Sequence, residues 1–186
     1  MTHQNSTRTT ATPGAPSEPA RPWLPRPEWV KTQPQALIAS CVLLHDQQRR
    51  MLMLRYASTE PSGGNWWLPG GMLDHGEDPL TAARRETAEE TGIELRSAPT
   101  LIGYDHRGDV GGTGPVVDFY WYGGIVTGPI RLSPEHDLHA FLELDDLKNT
   151  PLTAHMHTLV ALHDAATTGS VVCLQEGRPA GEEPSF

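Results

Sequence analysis

Apolar runs separated by polar turns divide the first half of the chain into short predicted strands. Residues 36–44 are apolar except for Ser40, which is typical of a strand buried on both faces. Residues 45–49 are polar and predict a turn, after which residues 51–55 return as the second strand of a hairpin. A further short strand is predicted at residues 66–68.

A helix is predicted at residues 79–91, because both of its ends carry strong signals. Asp78 is a natural N-cap, Pro79 suits the first helical position, and Gly92 suits a left-handed C-terminal turn. The face expected to pack on a sheet is small and mostly apolar: Leu80, Ala83, Thr87 and Ala88.

The second half of the chain is predicted to contain five further strands and one helix. Its strands are predicted at residues 101–105, 116–122, 124–126, 140–143 and 171–174. The helix is predicted at residues 151–168, with Thr150 as its N-cap and Gly169 at its end. We therefore expect an α/β fold with a mixed central β-sheet.

Composition indicates one folded domain between two flexible ends. Residues 1–33 are poor in apolar side chains and rich in Thr, Pro, Ser and Ala, so we expect this N-terminal segment to be disordered. The domain is expected at residues 34–174. Residues 175–186 are rich in Gly, Pro and Glu and are expected to form a flexible C-terminal tail.

Charge and cysteine content narrow the classes of partner. The chain has 14 Lys and Arg against 23 Asp and Glu, a net charge of −9, so we expect no polymeric nucleic acid partner. Cys41 lies in an apolar run and the only other cysteine is Cys173, which makes a disulfide framework improbable. The longest mainly apolar run is too short to cross a bilayer and no signal peptide is recognisable, so we expect no membrane association and a cytoplasmic location.

Three carboxylates share one side of the helix at residues 79–91. Glu86, Glu89 and Glu90 are spaced i, i+3 and i+4, so they repel one another and do not favour the helix. Taken alone, such a cluster is more often a solvated acidic surface. Where it binds a ligand, all-oxygen ligation suits Mg²⁺ or Mn²⁺. Arg85 lies four residues before Glu89 and can hold part of the cluster in place.

The spacing of this segment resembles the signature of the Nudix hydrolases. The matching residues are Gly71, Glu77, Arg85, Glu86, Glu89, Glu90, Gly92 and Ile93. Thr87 departs from the pattern, since the family usually has a bulky aliphatic residue there. The resemblance covers about residues 34–166 and implies the α/β/α sandwich of that family, with the segment from Gly71 to Ile93 as its catalytic centre.

The resemblance also implies a reaction and roles for particular residues. Nudix hydrolases cleave a diphosphate linkage by attack of water on phosphorus. Metal ions would be bound by Glu86, Glu89, Glu90 and the Gly70 carbonyl, while Glu77 and Arg85 would orient these ligands. Glu86 or Glu89 is our first choice for the general base, and Glu135 is the second. Trp67, Tyr120 and His139 are the predicted substrate-binding residues, the aromatic rings because they can stack on a base.

The substrate is less well defined by the sequence than the reaction. By exclusion, a nucleoside triphosphate, including an oxidised one, is the leading hypothesis for this small-molecule diphosphate substrate, and a sugar or prenyl diphosphate stays open. The loops near Gly63, Gly111 and Glu135 are expected to select it. Two other classes remain as alternatives, a non-catalytic nucleotide-binding module and an isopentenyl-diphosphate-type isomerase. A monomer and a homodimer are both compatible with the sequence.

Overall fold

The structure is a computed structural model that describes residues 23–147 and 156–181. The chain divides into two units, Met1–Pro34 and Gln35–Phe186. In the described part of the first unit, Arg26–Lys31 forms the short helix α1, with a proline in its first turn and no buried side chain. The described part of the segment predicted to be disordered, residues 1–33, thus contains one short helix, and its residues 1–22 lie outside the described part.

The second unit is organised around one mixed β-sheet. Its strands are β1 Leu37–His45, β2 Met51–Tyr56, β3 Trp66–Trp67, β4 Gly70–Met72, β5 Thr100–Arg107, β6 Val116–Ile125, β7 His136–Leu142, β8 Val172–Gln175 and β9 Arg178–Pro179. The order across the sheet is β3-β2-β1-β6-β5-β8-β9, while β4 pairs with β1 and β7 pairs with β2. The pairs β1–β6 and β5–β8 are parallel and the others are antiparallel, so the sheet is mixed as predicted.

Two long helices cover the two faces of this sheet, which confirms the predicted α/β/α arrangement. Helix α2 is Pro79–Thr91, a four-residue helix α3 is Leu144–Leu147, and α4 is Met156–Thr168. One apolar cluster joins α4 to the sheet and contains Leu43, Tyr120 and Leu162. A second cluster on the α2 side contains Val42, Leu52 and Ala83, among others.

Helix α2 begins and ends where its sequence predicts. The Asp78 carboxylate accepts hydrogen bonds from the backbone N–H groups of Leu80 and Thr81. Gly92 adopts φ of +70°, and its N–H donates to the Ala88 carbonyl. The unusual Thr87 is fully buried, and its hydroxyl donates to the Ala83 carbonyl at 2.7 Å, so the polar group is satisfied within the helix.

Several predicted strand bounds differ from the observed ones. No separate strand exists at residues 124–126, because β6 continues without a break through Gly123 and Gly124. A β-bulge in the pairing with β1 accommodates this segment, and a Cβ at Gly123 would lie 2.5 Å from Leu44. Strand β7 begins at His136, four residues before the predicted start, because pairing with β2 outweighs the polar composition of its first residues.

The C-terminal part of the sheet extends past residue 174. Strand β8 includes Gln175, and a turn at Gly177 leads into β9, which pairs back onto β8. Gly169 follows α4 with φ of +71°, as expected for its predicted terminal role. The predicted N-terminal turn of that helix, with Thr150, lies outside the described residues, as do residues 182–186.

Neither described cysteine forms a disulfide, since Cys41 and Cys173 are both free. Among residues 23–147 and 156–181, no helix is long and apolar enough to cross a membrane. Cys41 is buried in β1, as its place in an apolar run predicts.

A buried histidine lies at the end of β1. His45 packs edge-on against the rings of Tyr122 and His163, each with a centroid separation of 5.4 Å. Its Nε2 is buried without a hydrogen-bond partner among the described residues. Burial, reinforced by the nearby Arg49 and His163, lowers the pKa of His45 from 6.5 to about 4. The folded protein therefore holds His45 in its neutral form.

We expect His45 to make the folded state sensitive to mild acid. Its pKa is lower in the folded state than in the unfolded state, so its full contribution to stability is present above pH 6.5 and is lost as the pH falls towards 4. The loss should approach about 1.4 kcal/mol per pH unit within that window. Urea unfolding at pH 7, 6 and 5 should show a shallower pH dependence for His45→Phe than for the wild type. His75→Gln, at an exposed position, is the matched control; equal slopes for wild type and His45→Phe would contradict the assignment.

Candidate active site

The acidic end of helix α2 is joined to the sheet by one buried hydrogen bond. The N–H of Gly70, the first residue of β4, donates to Glu90 Oε2 at 2.8 Å. The Glu90 side chain is 5% exposed, and burial raises its pKa to about 8, with the neighbouring carboxylates adding to the effect. A carboxylate in this position requires a compensating positive charge to stay ionised at neutral pH.

Both residues of the pair that opens β4 are glycines, and a side chain at either position would meet a close neighbour. Gly70 has φ of +150°, a conformation that side-chain-bearing residues rarely adopt, and a Cβ there would collide with the backbone of β1. A Cβ at Gly71 would lie 2.6 Å from Glu86 Oε1. The missing side chains therefore allow the strand to approach the carboxylates of α2.

Arg85 holds the acidic residues and the preceding loop together. Its Nε and Nη2 donate to the two carboxylate oxygens of Glu77 at 3.0 and 2.8 Å. Its Nη1 donates to Glu86 at 2.7 Å and to Glu89 at 3.3 Å, and Nη2 also reaches the Met72 carbonyl at 3.2 Å. This one guanidinium therefore links the loop before α2, the end of β4 and two carboxylates of the cluster.

These groups line an open cavity of about 590 Å³, which we call the acidic pocket. One wall is formed by Arg85, Glu86, Glu89 and Glu90 of α2, and another by residues 70–72 of β4. Tyr56 and residues 133–135 complete the lining. Four carboxylates, including Glu135, face one guanidinium, so the lining carries a charge of 1 − 4 = −3 when every group is ionised.

A histidine adjoins the carboxylates on the far side of this pocket. Potential ligand atoms of Glu90, Glu135 and His136 all lie within 4.8 Å of one another. The His136 ring packs against Tyr56 at 4.9 Å between centroids, and burial lowers its pKa, which favours the neutral imidazole. Carboxylate oxygens with a neutral imidazole nitrogen are suitable ligands for a divalent cation. The donor set of the acidic pocket thus fits a divalent metal.

A second cavity of about 450 Å³ adjoins the acidic pocket, since Tyr56 and residues 70–72 line both. Trp66 and Trp67 of β3 form one side, and Val110 of the β5–β6 loop forms another. An ion pair between Arg107 and Asp118 also lines it. We call this the tryptophan cavity.

Most of the predicted site residues lie together. Gly70, Arg85, Glu86, Glu89, Glu90 and Glu135 line the acidic pocket, and Glu77 contacts it through Arg85. Trp67 lines the tryptophan cavity instead.

Two predicted substrate-binding residues lie elsewhere. Tyr120 is 1% exposed in the core cluster beside α4, because its side of β6 is covered by that helix, so it is not accessible to a substrate. His139 is exposed on β7 and does not line either cavity. Neither residue therefore lines the acidic pocket or the tryptophan cavity.

Other lining residues were not singled out by the sequence as site residues. Tyr56 reaches both cavities because β2 and β7 deliver it beside His136, and Arg107 and Asp118 meet across the β5–β6 pair. Asp118 carried one usable signal, since a charged residue within an otherwise apolar and aromatic strand needs a buried partner. Nothing local to Tyr56 distinguishes it from a core aromatic.

Comparison with known proteins gives consistent matches. The family model described as the NUDIX domain matches residues 34–162. An asymmetrical bis(5'-nucleosyl)-tetraphosphatase from Rattus norvegicus is 38% identical over 85 residues, 44% of this chain and 58% of that protein. A CMP-5'-(N-acetyl-N-hydroxy-3-aminopropyl)phosphonate hydrolase from Streptomyces rubellomurinus is 36% identical over 66 residues, 36% of this chain and 32% of that protein.

A solved structure extends the likeness to the whole fold. A binary complex of a C. elegans Ap4A hydrolase superposes with a TM-score of 0.59 and 25% identity, covering 72% of this chain and 99% of that one. The matches to the two curated relatives span only 32% and 58% of their lengths. The family model, by contrast, covers more than half of the present chain, including the whole acidic pocket. The chain therefore belongs to the Nudix hydrolase family.

Proposed function

We propose that this protein hydrolyses a diphosphate linkage in a nucleotide, most favourably a nucleoside triphosphate or its oxidised form, with the help of a divalent metal ion. The observation that carries the proposal is the acidic pocket, where four carboxylates converge on the glycine strand β4 with only one guanidinium among them. Such an excess of negative charge repels phosphate unless cations are bound.

The metal would be Mg²⁺ or Mn²⁺, bound by Glu86, Glu89, Glu90 and the Gly70 carbonyl. The burial of Glu90 and its raised pKa support this assignment, because a nearby cation stabilises the ionised carboxylate. When bound, the metal neutralises charge on the non-bridging phosphate oxygens and favours deprotonation of water. Glu135 and His136 lie close enough to Glu90 to act as further ligands.

Other groups of the acidic pocket orient the carboxylates, and one carboxylate is free to act as the general base. The Gly70 N–H holds one oxygen of Glu90, and Arg85 holds Glu86, so two carboxylates are oriented before any substrate binds. Glu89 is the most exposed of the three helix carboxylates, with 59% of its side chain accessible, and Arg85 contacts it only at 3.3 Å. This freedom supports Glu89 as the general base, with Glu135 as the second candidate.

The proposed reaction is a substitution at phosphorus. The oxygen of water forms a bond to one phosphorus of the diphosphate, and its proton passes to the Glu89 carboxylate. The bond between that phosphorus and the bridging oxygen breaks, and its electron pair leaves with the departing phosphate group. Both products are then phosphate esters or inorganic phosphates, according to which phosphorus is attacked.

Nucleotides are favoured as substrates for two reasons. The tryptophan cavity beside the acidic pocket offers aromatic surface of the kind that stacks on bases. The relatives named above are a bis(5'-nucleosyl)-tetraphosphatase, an Ap4A hydrolase and a hydrolase of a CMP phosphonate. An isomerase is less well supported, because Cys41 is buried in the core and burial raises the pKa of its thiol.

A substrate panel tests the proposal directly. The protein is incubated with Mg²⁺ and nucleoside triphosphates, 8-oxo-dGTP, dinucleoside tetraphosphates, ADP-ribose, UDP-glucose and isopentenyl diphosphate. Products are separated by HPLC, and released phosphate is measured after phosphatase treatment. We expect hydrolysis of at least one nucleotide, abolished by EDTA and restored by Mg²⁺ or Mn²⁺. Absence of turnover across the panel with either metal would refute the proposal.

Removing single carboxylates should separate the proposed roles. Glu89→Gln should lower kcat by about 10²- to 10⁴-fold even at saturating Mg²⁺, because the general base is lost together with one proposed metal ligand. Glu90→Gln should lower activity and also weaken Mn²⁺ binding measured by electron paramagnetic resonance. Glu94→Gln, an exposed glutamate just beyond α2, is the matched control and should behave as the wild type. Activities of Glu89→Gln and Glu90→Gln within threefold of the wild type would contradict these assignments.

A methyl group at Gly71 should disturb the site without unfolding the protein. In Gly71→Ala the new Cβ would lie 2.6 Å from Glu86 Oε1, and the carboxylate is the mobile end of a side chain that can move away. We expect activity to fall by at least about tenfold while the melting temperature changes little. Gly128→Ala provides the control, since a Cβ there meets nothing within 4 Å. Full activity of Gly71→Ala would show that the position of Glu86 is not critical.

A further inference from the structure

The tryptophan cavity contains a buried ion pair that the proposed reaction does not use. Arg107 ends β5 and Asp118 lies on the neighbouring β6, and both line the cavity. The Asp118 side chain is 4% exposed and the Arg107 side chain 22%. Burying two charges costs solvation energy, and an apolar pair of similar volume often stabilises a fold as well. Stability alone therefore does not explain this pair.

The geometry of the pair leaves hydrogen-bonding capacity on both partners. Arg107 Nε and Nη2 both approach the same oxygen of Asp118, Oδ2, at 2.7 Å. Among the described residues, no hydrogen bond engages the other oxygen, Oδ1, or Arg107 Nη1. A carboxylate oxygen that is free of such a bond, on a residue that lines a cavity, can accept a hydrogen bond from a ligand. Nη1 can donate to an acceptor on the same ligand.

The surroundings of the pair suit a flat aromatic ring. Trp67 is half-buried, and it lines the cavity wall together with Cys41. A cavity of about 450 Å³ with apolar walls and a few polar groups is typical of a small-molecule site. Tyr56 and β4 lead from it directly into the acidic pocket, so a ligand can occupy both cavities at once.

We infer that the tryptophan cavity binds the nucleobase of the substrate and that the Arg107–Asp118 pair recognises its hydrogen-bonding edge. Asp118 Oδ1 accepts an N–H of the base, Arg107 Nη1 donates to a neighbouring ring nitrogen or carbonyl oxygen, and Trp67 packs against the ring. This inference rests on the proposed nucleotide hydrolysis. The Arg107–Asp118 pair would then select bases that carry a hydrogen-bond donor next to an acceptor. Prenyl diphosphates carry neither group on the part that would enter this cavity, so they would be poor substrates.

Paired substrates that differ by one amino group test this recognition. Wild-type kcat/KM is measured for ATP against purine riboside triphosphate, for GTP against inosine triphosphate, and for CTP against its 4-deamino analogue. For the base that the enzyme prefers, the amino group should improve kcat/KM by at least about tenfold, the value of one hydrogen bond to a charged group.

Asp118→Asn should reverse this preference. The side-chain amide must present its oxygen to Arg107, which puts its NH₂ group where Oδ1 accepts in the wild type. A donor then faces the donor of the base, so the ratio between the paired substrates should fall to about one or below. Retention of the wild-type ratio would overturn the inference. Asp137→Asn is the control, because Arg55–Asp137 is also an Arg–Asp ion pair between neighbouring strands but lines neither cavity.

Val110→Trp keeps the test decisive if Asp118→Asn does not fold. Val110 lies on the β5–β6 loop and lines the cavity without contributing to the ion pair, so a larger side chain should fill the space for the base. We expect KM for the preferred nucleotide to rise at least tenfold, with the melting temperature within a few degrees of the wild type. An unchanged KM would contradict a base in this cavity.

Binding without turnover separates failure of this inference from failure of the proposed function. Calorimetry with AMP, GMP and CMP and their analogues without the amino group reports on the cavity even if no triphosphate is cleaved. Base-dependent binding that Val110→Trp abolishes would support the cavity assignment in that case. If the wild type hydrolyses nucleotides but binds all these monophosphates equally, the recognition role is refuted while the proposed hydrolysis stands.

Discussion

The hydrogen bond from the Gly70 N–H to the buried carboxylate of Glu90 is the contact on which the candidate site depends. It joins the last turn of α2 to β4, and β4 in turn pairs with the central strand β1. Only glycine allows the backbone to come this close, since a side chain at Gly70 would collide with β1. This contact between the β4 backbone and a side chain of α2 holds the buried carboxylate against the sheet, while Arg85 contacts Glu86 and Glu89.

The same arrangement creates an electrostatic problem that the protein solves only in part. Arg85 pairs with Glu77, Glu86 and Glu89, yet the acidic pocket keeps an excess of carboxylates. Among the three carboxylates of α2, the Glu90 side chain is the least exposed to solvent, and its pKa is raised to about 8. The repulsion between these carboxylates lowers the stability of the helix end, but their position suits the binding of cations. Such a local loss of stability is expected where a fold contains a functional site.

The two cavities have different chemistry although they share a wall. The acidic pocket is bounded by the charged side of α2 and the loop at residues 133–135, whereas the tryptophan cavity is bounded by β3, β5 and β6 on the opposite side of β4. The phosphates and the base of the proposed substrate would therefore contact separate surfaces. Segments near Gly63 and Gly111, which the sequence marks as loops, supply Ser62 and Val110 to the second surface.

Local patterns in the sequence determined α2, the glycine turn before it and the carboxylate cluster, because capping, helical spacing and φ preference act within a few residues. The α/β/α arrangement was expected from the resemblance to the Nudix hydrolases, and the apolar strand at residues 36–44 agrees with it because such a strand is covered on both faces. Tertiary structure alone decided which aromatic side chains are accessible. Tyr120 and Tyr56 look alike in sequence, yet α4 covers the first and the second lies between two cavities. The Arg107–Asp118 pair and the approach of His136 to Glu90 likewise arise from strand pairing between distant segments, which no local pattern encodes.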